Sequence, residues 1–402
     1  MKSIFKKFLV ASVAAGSLIF IPQLYNSDTV QAANRRTSNT TETETPKRST
    51  NFQAKRLSAE EEYKKGVKFY QKIQYEDAII CFSNAIQKDP SMVEAYEYRA
   101  RSYEKLQQYN AALADCNKVI EFKPNDSACY SARGNIYFGM KNYDAAVADY
   151  TKAIKLNTYN NCTGYYHARG VAYYYLKQYN AAIADLSESI KRNNAAGGCQ
   201  TYYYRAKTYE ILKQYDAAIA DYTKAIERDP DQSTYYYDRG LVYVMVNNYD
   251  AAIADYTKNI ELRPNSYNTY CNRGNVYTMK KQYDEAIADY SKAIELNPKF
   301  IEAYYNRATV YSMMKNYYAA ILDYSEIMII DYKYVSAHYG RGMAYYNSQQ
   351  YDKAISDFTR VVEFKPDYAS AYYYLGKCYQ AVNKTEKANK NFAKARELGY
   401  NG

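Results

Sequence analysis

Large, small and polar residues recur along this chain with helical spacing, and the whole pattern is itself repeated. Between Tyr267 and Phe300 it reads Tyr270-x2-Arg273-Gly274-x2-Tyr277, then Ala286-x3-Tyr290-x2-Ala293, then Pro298. Positions three and four apart fall on one face of a helix, so each half marks one buried stripe. Gly274 and Ala286 are small enough for two helices to approach closely. Pro298 ends the second helix, because it lacks an N–H and clashes with the preceding turn. Asp284, after Tyr283, sits where that helix begins and suits the positive end of its dipole. The stretch predicts a helix–turn–helix hairpin of 34 residues.

The hairpin recurs ten times, with units beginning at Ala59, Val93, Ser127, Thr163, Cys199, Ser233, Tyr267, Ile301, Val335 and Ala369. The twentieth position is Ala in all ten units, from Ala78 to Ala388, and the eighth is always Gly or Ala. The eleventh is Phe69 followed by nine Tyr, from Tyr103 to Tyr379. Self-similarity at a fixed period marks a stacked repeat architecture. The spacing resembles that of the tetratricopeptide repeat (TPR) family, with Tyr in place of the usual first Trp, and the resemblance covers residues 59–402. It implies an all-α, right-handed superhelical solenoid of about ten hairpins.

Two units depart from the period. Those starting at Ser127 and Thr163 have 36 residues and carry Thr158 and Asn194 where the closing Pro stands elsewhere. Their extra residues fall in loops around Asn160–Asn161 and Ala196–Gly198, as tolerated insertions in solenoids do. In the last unit, Lys384, Lys387, Lys390, Lys394 and Arg396 make Thr385 to Leu398 a polar C-terminal cap.

The N-terminus changes the picture of where such an array works. Lys2, Lys6 and Lys7 precede an apolar run from Phe8 to Ile21, and Val30-Gln31-Ala32 offers a small-x-small cleavage site. Residues 1–32 therefore read as a secretory signal peptide, with Ala33 as the mature N-terminus. The run is shorter than the ~20 residues that span a bilayer, so membrane contact is expected only if the segment stays uncleaved. Residues 33–57 are rich in Thr, Ser, Asn and charge and read as a disordered tether. The implied location is outside the cytoplasm, in a periplasm, at the cell surface or beyond it.

Position seven is normally apolar in the family. Here it is Arg in units two to nine: Arg99, Arg133, Arg169, Arg205, Arg239, Arg273, Arg307 and Arg341. Position 23 is Asp in the same units: Asp115, Asp149, Asp185, Asp221, Asp255, Asp289, Asp323 and Asp357. Both are absent at the ends, where Lys65 accompanies Cys81 and Leu375 accompanies Asn391. Joint presence and joint absence predict a structural ion-pair ladder, because a half-buried guanidinium needs a carboxylate.

The chain holds 54 Tyr, far more than packing between helices requires. Tyr at positions 4, 11, 17 and 24 is expected to fill space between helices with its hydroxyl at a wet edge. The family resemblance implies a concave surface lined by positions 2, 5, 6, 9, 12 and 13 of each first helix. Those positions hold Tyr174, Tyr175, Tyr203, Tyr204 and Tyr237, with Tyr305, Tyr339, Tyr346 and Tyr373 further on. Met245, Met279 and Met313 recur at position 13, while Asn135, Asn272, Asn275 and Asn306 add amides. An aromatic, Met-lined and amide-dotted face suits an extended peptide or protein segment. Aromatic rings stack on sugars as well, so a carbohydrate or cell-wall polymer is the alternative ligand, and self-association through Tyr faces a third reading. The TPR clamp for acidic chaperone tails needs Lys at position 5 and Asn at position 9. The first five units instead hold Tyr63, Glu97, Ser131, His167 and Tyr203 at position 5, so that clamp is absent.

No constellation for catalysis emerges. The two His, His167 and His338, stand in different hairpins, and neither a CxxC pair nor a Gly-rich phosphate loop occurs. Seven Cys leave at least one without an intramolecular partner; Cys116 falls at a core position, and Cys162 and Cys199 lie in neighbouring units too far apart to pair. The formal charge is +10, but Lys118, Lys224, Lys258 and Lys292 are each followed three places later by Glu. That is an exposed, self-paired face and no stripe for nucleic acid. The reading is a non-enzymatic adaptor without cofactor or metal, for a protein or peptide partner, in envelope assembly or secretion. Its oligomeric state is left open.

Overall fold

The computed structural model describes residues 57–157, 162–192 and 198–400. The signal segment, the tether up to residue 56 and most of the two enlarged loops lie outside the described residues. Among the described residues there are twenty α-helices and no strand. First helices open at Ala59, Val93, Ser127, Thr163, Cys199, Ser233, Tyr267, Ile301, Val335 and Ala369. Each is followed by a second helix, opening at Tyr75, Tyr109, Tyr143, Tyr179, Tyr215, Tyr249, Tyr283, Tyr317, Tyr351 and Thr385. We number these hairpins as repeats 1 to 10. The described residues form two compact units, 57–214 and 215–400, with the border in the turn of repeat 5. Inside each unit, successive helices pack on one another, hairpin upon hairpin.

Every first helix ends in the same turn. The residue at position 15 takes a left-handed conformation in all ten repeats, with φ between 57° and 63°. Its amide and the next one bond back into the helix: Lys281 N–H reaches the Thr278 carbonyl (3.0 Å) and Gln282 N–H the Tyr277 carbonyl (2.9 Å). This is the Schellman arrangement, which usually recruits Gly. Here none of the ten is Gly; five are Lys, and Ile73 is β-branched, the least suited side chain for that region. The second helix then starts on an Asn cap in repeats 3, 6 and 8, where Asn142, Asn248 and Asn316 accept from the amides of Ala145, Ala251 and Ala319.

The core of most hairpins is a ring set against a backbone, with Cys116 and Leu186 in the ring's place in repeats 2 and 4. Position 20 is buried Ala throughout. A Cβ added to Gly274 would come within 2.8 Å of the Tyr290 ring, and the same contact pairs Gly134 with Tyr150, Gly240 with Tyr256 and Gly342 with Phe358. The wet-edge expectation fails for these position-24 tyrosines. Tyr150, Tyr256 and Tyr290 are fully buried because the small eighth residue lets the ring slide under the first helix. Where the hydroxyl partners are visible they are internal: Tyr150 donates to Asn135 (2.8 Å) and Tyr290 to Asn275 (2.8 Å).

The ladder runs through both units. In repeats 2, 3 and 4, Arg99, Arg133 and Arg169 bind Asp115, Asp149 and Asp185; in repeats 6 to 9, Arg239, Arg273, Arg307 and Arg341 bind Asp255, Asp289, Asp323 and Asp357. Each pair is bidentate, with Nε and Nη2 on the two carboxylate oxygens; for Arg273 the distances are 2.8 and 2.7 Å. Arg205 and Asp221 belong to different units, and their pairing stays an expectation.

The third arm was not foreseen. Nη1 of each Arg donates to position 25 in the second helix of the preceding repeat: Arg99 to Ser83, Arg133 to Asn117, Arg169 to Thr151, Arg205 to Ser187, Arg239 to Thr223, Arg273 to Thr257, Arg307 to Ser291 and Arg341 to Ser325. Thr359 holds the same place before repeat 10, where Leu375 stands at position seven. Its hydroxyl donates to the Ile355 carbonyl, as those of Thr223, Ser291 and Ser325 donate to the carbonyls four places back. Two flanking tyrosines cover the guanidinium: Tyr270 and Tyr277 lie 5.7 and 5.9 Å from that of Arg273.

Two outcomes follow from this packing. Removing one partner strands a buried charge, so Arg273→Leu and Asp289→Leu should each cost about 3–5 kcal/mol, and the double variant clearly less than the sum. Additive losses in denaturant titrations would contradict the pairing. Ile73→Gly should raise stability by up to about 1 kcal/mol by relieving the left-handed residue; a lower melting temperature would count against strain there.

Candidate functional site

In the first unit the first-helix face of repeats 3 to 5 carries a continuous strip of rings. Tyr143 stacks on Tyr175 at 5.1 Å with the planes 13° apart. Phe138 lies 5.3 Å from Tyr143 and 5.6 Å from Tyr175, so three rings close on one another. Tyr174 then bridges Tyr175 (5.4 Å) and Tyr204 (5.7 Å), and Tyr204 meets Tyr203 at 5.6 Å. Most of these contacts are edge-on, the arrangement aromatic quadrupoles prefer. The Tyr175 and Tyr204 hydroxyls stand 3.5 Å apart at the open edge, and Tyr175 keeps 37% of its surface exposed.

Lys207 and Glu210, at positions 9 and 12 of repeat 5, lie on this face 4.0 Å apart and offset each other. Burial pushes the Tyr204 hydroxyl up, and the neighbouring Tyr175 adds to the shift, so it stays a neutral donor. His167, at position 5 of repeat 4, shares its Nδ1 with the Thr201 hydroxyl (2.9 Å), and its ring stands 6.4 Å from that of Tyr204. Burial lowers its pKa from the usual 6.5, so the imidazole is neutral. Asn135 is exposed on the same face, with its carbonyl oxygen taken by Tyr150.

The second unit treats its expected groove residues differently. Asn275 and Asn306 are buried, 3% and 8% exposed, and bonded to each other at 2.9 Å; Asn306 also faces the Cys271 sulfur. Their amides close a core network with Tyr290 and are not available to a ligand, which corrects the sequence expectation. The cause is the buried Tyr290 hydroxyl, which needs an acceptor inside. Asn272 is half-buried and donates to the Tyr237 hydroxyl (3.0 Å). Met245 and Met279 pack against Val276 and its neighbours, and only Met313 is exposed, at 45%. Tyr305, Tyr339, Tyr346 and Tyr373 pack on other rings, as Tyr339 does on Tyr368 at 5.0 Å.

The remaining chemistry is quiet. The seven Cys are free, and burial pushes the thiols of Cys116, Cys271 and Cys378 up to about 12. Such thiols are inert at neutral pH. Among the described residues no group of three or more His, Cys, Asp or Glu is placed to hold a metal ion, and no helix is long and apolar enough to cross a membrane. Lys118–Glu121, Lys224–Glu227, Lys258–Glu261 and Lys292–Glu295 form ion pairs along the exposed second helices. The sequence does not single out Phe138 and Tyr143: Tyr143 stands at a position assigned to packing, and only the stacking on Tyr175 reveals it.

Ten hairpins with this spacing, turn and core define a helical repeat scaffold. The chain belongs to the tetratricopeptide repeat family. Family models described as tetratricopeptide repeat match residues 63–127, 127–160, 163–195, 199–232, 221–254, 267–300 and 290–321, and one described as TPR repeat matches 342–383. No curated protein matches the chain. Among solved structures, the C-terminal part of a TPR repeat-containing protein from Cytophaga hutchinsonii is 23% identical with a TM-score of 0.54, over 60% of this chain and 98% of that one. YrrB, described as a TPR protein with an unusual peptide-binding site, is 28% identical with a TM-score of 0.41, over 45% and 93%. MamA is 28% identical with a TM-score of 0.40, over 41% and 91%.

A pH dependence follows for His167. The unfolded chain binds its proton more readily than the folded one, so its share of stability is present above about 6.5 and is lost as pH falls. The melting-temperature gap between His167→Gln and the parent should move in the variant's favour from pH 7.5 to 5. A constant gap would contradict the assignment.

Proposed function

We propose that the chain is a non-enzymatic scaffold that binds a protein or peptide on the ring-lined first-helix face of repeats 3 to 5. TPR hairpins serve protein–protein interaction, and the observation that carries the site is the strip Phe138–Tyr143–Tyr175–Tyr174–Tyr204. Rigid aromatic rings give large contact area at low entropic cost, and their hydroxyl edges can bond a peptide backbone. The Lys2–Ile21 pattern and Val30-Gln31-Ala32 support export, hence a role in envelope assembly or secretion.

A photoreactive residue in place of Tyr175 tests the site in the native cell. One dominant protein crosslink, absent when the probe replaces Lys224, is expected. Equal labelling from both positions, or polysaccharide in the crosslinked band, would overturn the proposal. Export is tested separately: N-terminal sequencing of the mature protein should begin at Ala33, and an intact Met1 would contradict cleavage.

A further inference from the structure

The second helix of repeat 8, Tyr317–Ile330, carries large apolar residues on a face that meets solvent as well as on its core face. Tyr318 is 75% exposed, Leu322 50% and Ile329 76%. At 100° per residue these three fall within a narrow stripe, and eleven residues of rise make it about 17 Å long. The positions of Tyr318 and Ile329 are polar in all nine other repeats; in repeat 7 they are Asp284 and Glu295, and Leu322 replaces Ala288. Packing does not explain the change, because the buried face of the same helix keeps Ala320, Asp323, Tyr324 and Ile327 at its usual places.

Once the ion pairs on the flanking helices are set aside, the charges left beside the stripe are acidic. On the flanking second helices, Lys292 is neutralised by Glu295 (2.6 Å) and Arg360 by Glu363 (2.7 Å), leaving Asp284 and Asp352. Repeat 8 has Glu326 where its neighbours have Lys292 and Arg360, and Ile329 where they have Glu295 and Glu363, so Glu326 has no cation three places on. Glu285 and Lys353, one residue further round, offset each other, while Lys315 and Lys333 stand in the turns that bound the helix and not along it. An apolar stripe bordered by carboxylates thus stands out in a chain of net charge +10.

We propose that this face is a second docking surface, for an amphipathic helix whose apolar stripe is bordered by Lys or Arg. Anchors at i, i+4 and i+11 span about three turns and fit the apolar side of such a helix. The acidic border selects basic flanks and speeds encounter. An isologous pair of this chain would instead set Glu326, Asp284 and Asp352 close to their own copies, so a second copy is the poorer occupant.

The test uses fluorescent model helices of about 18 residues, one of leucine and lysine and one of leucine and glutamate, titrated with the full chain by anisotropy. Tyr318→Asp, Leu322→Ala and Ile329→Glu together give repeat 8 the exposed residues of repeat 7, which folds with them. The parent should bind the lysine helix at least about tenfold more tightly than the glutamate helix, and the triple variant should lose that binding with its melting curve unchanged. The variant is more acidic, so purely electrostatic attraction would strengthen instead. Undiminished binding by the triple variant, or equal binding of the two helices by the parent, would overturn the proposal. So would a doubled parent mass in light scattering that the variant abolishes, since the occupant would then be a second copy.

Discussion

One arginine in each of repeats 2 to 4 and 6 to 9 carries the geometry of the stack. Its side chain emerges from the first helix, grips an Asp on the second helix with two bonds, and reaches back with a third to the preceding repeat's second helix. A guanidinium can do this because its donors form a rigid planar fork; a lysine ammonium has no such fork. The cost of burying the charge is offset only while all arms are satisfied, so the clamp also specifies register. The hydrogen bonds it donates to Asp289, and that carboxylate's charge, hold the Arg273 guanidinium up, well within its ionised range.

Much of the tyrosine surplus follows from that clamp. Tyr at positions 4 and 11 flanks the guanidinium from above and below, as Tyr96 and Tyr103 do for Arg99 and Tyr236 and Tyr243 for Arg239. Position 24 places another ring under the small eighth residue. What is left on the first helices is therefore not uniform. Repeats 3 to 5 gather half-buried rings around the exposed Tyr175, whereas Asn275 and Asn306 of repeats 7 and 8 turn inward to a buried Tyr290 hydroxyl.

The hairpins, their boundaries and the Arg–Asp partners were legible in the sequence because a ten-fold repeat turns each position into a column, and columns expose co-occurrence. The hydroxyl arm was written there too, as Ser, Thr or Asn at position 25 from Ser83 to Ser325, but small polar residues on a helix carry no marked signal. The site was less legible. Asn275 and Asn306 share positions with exposed residues elsewhere, and only the depth of Tyr290 decides that they turn inward. The stacking of Tyr143 on Tyr175 joins residues 32 apart in successive repeats, each two places from a left-handed Lys, a type that does not announce that conformation.

The central claim is that each arginine couples its own hairpin to the one before it. Native-state hydrogen exchange on Arg307→Lys tests it most directly, because lysine keeps the charge and loses the fork. Amides of Tyr283–Leu296 in repeat 7 should exchange faster, together with those of Ile301–Ile330 in repeat 8. Faster exchange confined to repeat 8, with repeat 7 unchanged, would contradict the account and reduce the ladder to pairs within single hairpins.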